Sequence, residues 1–258
     1  MKGLKTVIED IKEFIADKAY FSVASLKNYL KSRSQEYKNL TINQHLYNLK
    51  EAQEIFSCGY GWYSTLHAYL DVDFEPVDKY VRLIKDKFPL LDFNVWSTRQ
   101  LLNFFHHLPF RYLVFIYAEY DGLMPIYELL LEQEYTVYNN PDRDTVKNHL
   151  VLKEETIILR PLITETPTPS EKVRGFSNIL HFAIIEKMLV DLYVEKDKMM
   201  YMDGAEYERV FRNVLFAGRL NIPTLLRYAR RREVRQYFIK YLFPSGDEYI
   251  LLPGKEQK

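Results

Sequence analysis

Apolar residues recur at helical spacing three times in the first fifty positions. Val7, Ile8, Ile11, Phe14 and Ile15 make one stripe within Thr6–Asp17, with Lys12, Glu13 and Asp17 outside it. Val23, Leu26, Tyr29 and Leu30 make a second within Val23–Arg33, and Ser22 stands where an N-cap belongs. Ile42, Leu46 and Leu49 make a third within Ile42–Ala52, opened by Thr41. Then the period shortens. Residues 55 to 63 (Ile-Phe-Ser-Cys-Gly-Tyr-Gly-Trp-Tyr) place glycines where a tight hairpin turn needs positive φ. Helices followed by a short aromatic hairpin are the order of a winged helix-turn-helix, a device that sets one helix in a DNA major groove. The pattern predicts such a domain over residues 1–70.

Beyond Ser64 the pattern changes character, and a boundary falls near residue 70. The spacing predicts a helix over Pro76–Phe88, a strand over Phe93–Trp96, a helix over Thr98–His106 and a strongly apolar strand over Tyr112–Ala118. A helix over Met124–Leu131 and strands over Tyr135–Tyr138 and Thr156–Leu162 follow. Alternating strands and helices indicate one sheet of about four strands flanked by helices. Thr164–Arg174, with two prolines and no apolar period, reads as a connection. Helices are expected over Ile179–Val194, Gly204–Ala217, Pro223–Arg232 and Val234–Leu242. The fold class expected is α+β: an N-terminal winged helix-turn-helix, then an α/β domain over residues 71–258 that ends in a helical region.

The third helix of the small domain is the natural recognition helix. Opposite its apolar stripe, at about 100° per residue, lie Gln44, Tyr47, Asn48 and Glu51, flanked by Asn43, His45 and Lys50. Amides and a tyrosine suit base edges and phosphates alike, although a polar helix face also occurs wherever a helix meets water. Charge favours DNA. From Lys18 to Lys50 the bases are Lys18, Lys27, Lys31, Arg33, Lys38 and Lys50, and the only acid before Glu51 is Glu36. This local excess stands within a chain of zero net charge, the footprint phosphate contact requires. In the hairpin, Tyr60 between two glycines is the contact residue, whereas Trp62 reads better as core.

Composition narrows the setting. The chain has 258 residues, 47% of them hydrophobic and 27% charged, proportions of a globular protein. With Cys58 alone, neither an intramolecular disulfide nor a cysteine-based metal site can form. Residues 1–20 are charged and amphipathic without a signal-type apolar core, and no apolar run approaches the ~20 residues of a membrane span. The expectation is a cytoplasmic protein with no membrane partner.

Catalytic patterns are sparse. No phosphate-binding loop, Gly-x-Ser-x-Gly or His-Glu-x-x-His stands in the chain. His106 and His107 are adjacent and, on a helix, diverge too far to share a metal. Asp92, Glu119 and Asp121 flank predicted strands and would suit a Mg²⁺-dependent nuclease or nucleotidyltransferase, provided that they converge. Glu119–Gly122 reads equally as a turn. No catalytic residue, metal ligand or cofactor is assigned.

Arg209–Lys240 is the second feature above background: nine bases against Glu233 alone. Arg227, Arg230, Arg231, Arg232 and Arg235 dominate it. A solvated face, a further nucleic-acid contact and a docking surface for a partner all fit, and the single-sign bias favours a partner.

Three elements together resemble the AbiE-type, or type IV, antitoxins and related regulators of viral defence. They are residues 49–56 with the Gly59–Tyr63 hairpin, the Ile185–Leu192 segment with its Leu-Val-Asp-Leu core, and Leu225–Arg232 with the helix after it. The resemblance implies an N-terminal domain that binds inverted repeats in double-stranded DNA and represses its own operon. It implies a C-terminal domain that counteracts a nucleotidyltransferase toxin, with no enzymatic activity of its own. The recognition helix here departs from expectation in having no arginine. Asp191, on an apolar helix, would anchor internally to an arginine such as Arg227. Together these features point to a DNA-binding regulator with Asn43, Gln44, Tyr47, Asn48, Lys50, Lys38, Arg33 and Tyr60 on DNA, and Arg227, Arg230, Arg231, Arg232 and Arg235 on a protein partner. The alternatives are the metal-dependent enzyme and a winged-helix scaffold that no longer binds DNA.

Overall fold

The computed structural model describes residues 6–33, 39–107, 109–169 and 179–255. The fold is α+β with two four-stranded sheets. The chain divides into two compact units. One comprises Met1–Leu70, Val214–Arg227 and Val234–Lys258, and the other comprises Asp71–Asn213 and Tyr228–Glu233.

In the first unit, α1 (Val7–Ile15), α2 (Val23–Ser32) and α3 (Asn39–Glu51) close on one apolar cluster. Ile11, Phe14, Leu26, Leu30, Ile42, Leu46 and Leu49 are buried in it, so the three sequence stripes do face inward. Ser22 caps α2 by accepting from Ser25 N. Thr41 does not open α3, which starts two residues earlier at Asn39. The hairpin strands β2 (Phe56–Ser57) and β3 (Trp62–Ser64) are shorter than the alternation implied. Trp62 is buried and lies 5.4 Å, ring to ring, from Phe243.

Two strands were not foreseen. β1 (Lys18–Ser22) is paired at both edges, with β3 and with β8 (Tyr249–Leu251), and all five of its residues are buried, Phe21 in the apolar cluster and Tyr20 against the late segment. A strand covered on both faces loses its alternation, and five residues between helices carry no other signal. The partner β8 is three residues long and comes from the far end of the sequence. Tyr20 ties β1 to the late segment as well: its hydroxyl lies 2.7 Å from Gly218 O and 2.9 Å from Leu215 O, and accepts from Leu220 N at 3.1 Å.

The second unit is built on the sheet order β4-β5-β7-β6. These strands are β4 (Phe93–Ser97), β5 (Tyr112–Ala118), β6 (Val137–Asn139) and β7 (Glu155–Pro161). β4 runs antiparallel to β5, while β5 and β6 run parallel to β7. One face is apolar. Val95, Val114, Ile116, Ile157 and Leu159 pack there with Val77, Tyr80 and Ile84 of α4 (Glu75–Lys87) and Ile126 and Leu130 of α5 (Tyr120–Glu132). The helix expected over Thr98–His106 is a 3-10 helix over Thr98–Phe104, opened by Ser97 accepting from Arg99 N. The Ile179–Val194 helix is replaced by a short 3-10 turn (Ile179–His181) and α7 (Ile185–Lys198). α6 (Arg143–His149) was not read from sequence, since Val146 is its one buried residue and leaves no stripe. The remaining helices are α8 (Gly204–Ala217), α9 (Ile222–Arg231) and α10 (Arg235–Leu242). Of the connection over 164–174, residues 164–169 carry no helix or strand, and the rest lies outside the described residues.

Candidate nucleic-acid interface and a buried charge cluster

From Asn43 to Glu51 the exposed side of α3 is polar. Asn43, Gln44, Tyr47, Asn48 and Lys50 are exposed, while Ile42, Leu46 and Leu49 beneath them are buried. Gln44 Nε2 donates to Asn48 Oδ1 at 3.1 Å, and Lys50 Nζ lies 5.7 Å from the centre of the Tyr47 ring. The helix offers these groups to solvent because its 3.6-residue period puts the apolar stripe on the opposite side.

Tyr60 is 99% exposed at the hairpin tip, between Gly59 (φ +119°) and Gly61 (φ +71°). An aromatic ring this free is held out by its backbone, since neither flanking residue has a side chain to pack it. Gly59 is required for a second reason: a Cβ there would stand 2.5 Å from Asn221 Oδ1 and 2.8 Å from Pro223 Cδ.

The basic excess around this helix is smaller on the surface than in the sequence. Lys18 is buried, donating to Phe14 O at 2.7 Å and pairing with Asp17. Arg33 pairs with Glu13 at 2.7 Å and bonds the Tyr29 hydroxyl. Lys31 and Lys50 are exposed, and Lys27 is half-buried. Lys38 lies outside the described residues.

The arginine-rich stretch separates in the same way. Arg227, Arg230, Arg231 and Arg235 are exposed, and Arg231 pairs with Glu165. Arg232 is not a surface group. Its side chain is 8% exposed and is held by Asp191 Oδ1 at 3.4 Å and Glu195 Oε1 at 3.2 Å. Asp191 is thus an internal anchor for Arg232 rather than for Arg227. The late position in the stretch matters, because helix α9 has ended and the chain turns back at Glu233, which has φ +60°.

Arg232 belongs to a buried polar cluster in the second unit that sequence reasoning did not assemble. Asn94, Tyr117 and Arg160 lie side by side on β4, β5 and β7, on the sheet face opposite the apolar cluster. Lys187, Asp191 and Glu195 come from successive turns of α7 and are almost completely buried. Lys187 pairs with Asp191, and its Nζ lies 3.6 Å above the Tyr117 ring. Tyr228 donates to Asp191 at 2.9 Å. Arg160 donates to Glu195 through Nε and Nη2 at 3.1 and 2.8 Å. Burial pushes the Lys187 ammonium down to about 8, against the opposing pull of Asp191. Burial pushes the Tyr117 and Tyr228 phenols well up, and the Asp191 charge adds to this. A signal was present in the sequence: Lys187, Asp191 and Glu195 repeat every four residues on one face of α7, interleaved with apolar residues from Met188 to Val194.

The carboxylates weighed for metal binding do not assemble. Glu119 and Asp121 are exposed at the start of α5, and Glu119 is its N-cap. Glu119 approaches Asp92 through backbone, N to O at 3.3 Å. Among the described residues, no three His, Cys, Asp or Glu side chains are gathered so as to hold a metal ion. Among those residues, too, no helix is long and apolar enough to cross a membrane.

No curated protein matches the chain. Residues 41–245, well over half of its length, match DUF6577, a family of unknown function, and the chain belongs to that family.

Proposed function

We propose that the protein is a DNA-binding transcriptional regulator whose first unit is a winged helix-turn-helix. α3 is the recognition helix, and the β2–β3 hairpin is the wing with Tyr60 at its tip. The observation that carries this reading is the uniformly polar, exposed face of α3, backed by a buried apolar stripe. Asn43, Gln44, Tyr47 and Asn48 meet the groove, while Lys50, Lys31 and Lys27 supply phosphate contacts. Among the described residues few exposed cations stand near the helix, so affinity for non-specific DNA is low and its dependence on salt is shallow.

The resemblance to type IV antitoxins supports a second role for the same chain. In this reading the protein represses its own operon and counteracts a nucleotidyltransferase toxin through Arg227, Arg230, Arg231 and Arg235. Arg232 takes no part in that contact, because its guanidinium is committed to Asp191 and Glu195.

The test is a salt-titrated binding assay on the DNA upstream of the coding sequence, against scrambled DNA. Sequence-dependent, saturable binding by the wild type is expected, with loss in a Gln44→Ala/Asn48→Ala variant that keeps its thermal stability. Equal binding to both DNAs at moderate salt would overturn the regulator and leave the first unit as a docking module.

A further inference from the structure

Two amides stand four residues apart on the exposed face of α3 and are already bonded to one another, Gln44 Nε2 to Asn48 Oδ1 at 3.1 Å. That bond uses one of the two N–H donors of Gln44 and one of the two acceptor sites on Asn48 Oδ1. The Gln44 Oε1 acceptor and the Asn48 Nδ2 donors take no part in it. The pair therefore offers an acceptor and a donor together, and the internal bond favours one mutual arrangement of the two side chains before any ligand arrives.

In the major groove only adenine offers an acceptor and a donor on one base edge, N7 and N6–H. Guanine offers two acceptors, and cytosine one donor. Guanine is read above all by arginine, and α3 has none. Its one lysine, Lys50, sits in the last turn with its ammonium toward the Tyr47 ring. We infer that Gln44 and Asn48 act as one unit that reads an adenine, and hence an A·T pair, in the major groove. This inference rests on the DNA-binding reading above and names what its central contact recognises.

The experiment is selection of bound sequences from a randomised duplex library by the full chain, followed by titration of the selected duplex. Wild type should enrich adenine at a defined position. Replacing that adenine with 7-deazaadenine should weaken binding roughly five- to a hundredfold. The Gln44→Ala/Asn48→Ala variant should lose the enrichment while its melting temperature stays unchanged, since both side chains are exposed. Selection of a G·C pair at the central position, or adenine enrichment that survives in the double variant, would overturn the inference and leave DNA binding standing. Retention of no library sequence over scrambled competitor would overturn the DNA-binding reading and this inference with it.

Discussion

Lys187, Asp191 and Glu195 each meet a side chain of opposite charge type in the interior of the second unit. Such pairs are costly to desolvate, and breaking one leaves an unpaired buried charge. Asp191→Asn should therefore lower stability by about 3–5 kcal/mol, measured by denaturant titration. Arg232→Ala should cost a similar amount, whereas Arg230→Ala, at an exposed position on the same stretch, should change stability by less than about 0.5 kcal/mol. Lys187 adds a pH dependence. Its folded value of about 8 lies below the ordinary 10.5, so above pH 8 the unfolded chain holds a proton that the folded chain has released. Stability should rise between about pH 8 and 10, and this rise should vanish in Lys187→Met. Above pH 10 the sign reverses: Tyr117 and Tyr228 ionise first in the unfolded chain, and their contribution is lost. At this scale the sequence was only partly legible. It marked Asp191 as an anchor, but the identity of the partner depended on where α9 ends.

At the scale of elements, helices carrying a clear stripe were legible to within a few residues. α2, α8 and α10 show this, because their burial pattern is written in their own period. The start of α5 was not legible. Pro125 suggests a first turn, yet the helix begins at Tyr120 and the proline lies inside it. The caps and turns give direct tests. Ser22→Ala removes the acceptor for Ser25 N and should cost about 1 kcal/mol, read from the shift in thermal midpoint. Gly59→Ala should cost more than Gly61→Ala. Both residues have positive φ, but a Cβ at Gly59 collides with Asn221 and Pro223, while nothing lies within 4 Å of one at Gly61. Asn221 cannot easily yield, since its Oδ1 caps α9 by accepting from Thr224 N at 3.1 Å. The expected difference is about 1–3 kcal/mol in chemical denaturation; equal losses would mean that Asn221 and Pro223 move aside.

On the scale of the whole molecule, the first unit is assembled from both ends of the chain. Strand β1 pairs with β8, and Tyr20 meets Leu215, Gly218 and Leu220. A fragment of residues 1–70 lacks these partners and should show no cooperative thermal transition by circular dichroism, whereas the full chain should. A cooperative, native-like melt of the fragment would show that the late segments are dispensable. What the sequence by itself determined were features carried within a short window: the α+β class, the apolar stripes of α1, α2 and α3, the exposed amide face of α3, and the glycine-flanked turn at Tyr60. Each follows from local period and local sterics. Tertiary structure alone decided the rest. It paired β1 with a strand more than two hundred residues away, buried Lys18 and Arg232 out of two basic stretches, and gathered Asn94, Tyr117, Arg160, Lys187, Asp191 and Glu195 from four separate elements. The physical reason is that burial and charge pairing depend on which segments meet in space, and no periodicity within one segment encodes its partner.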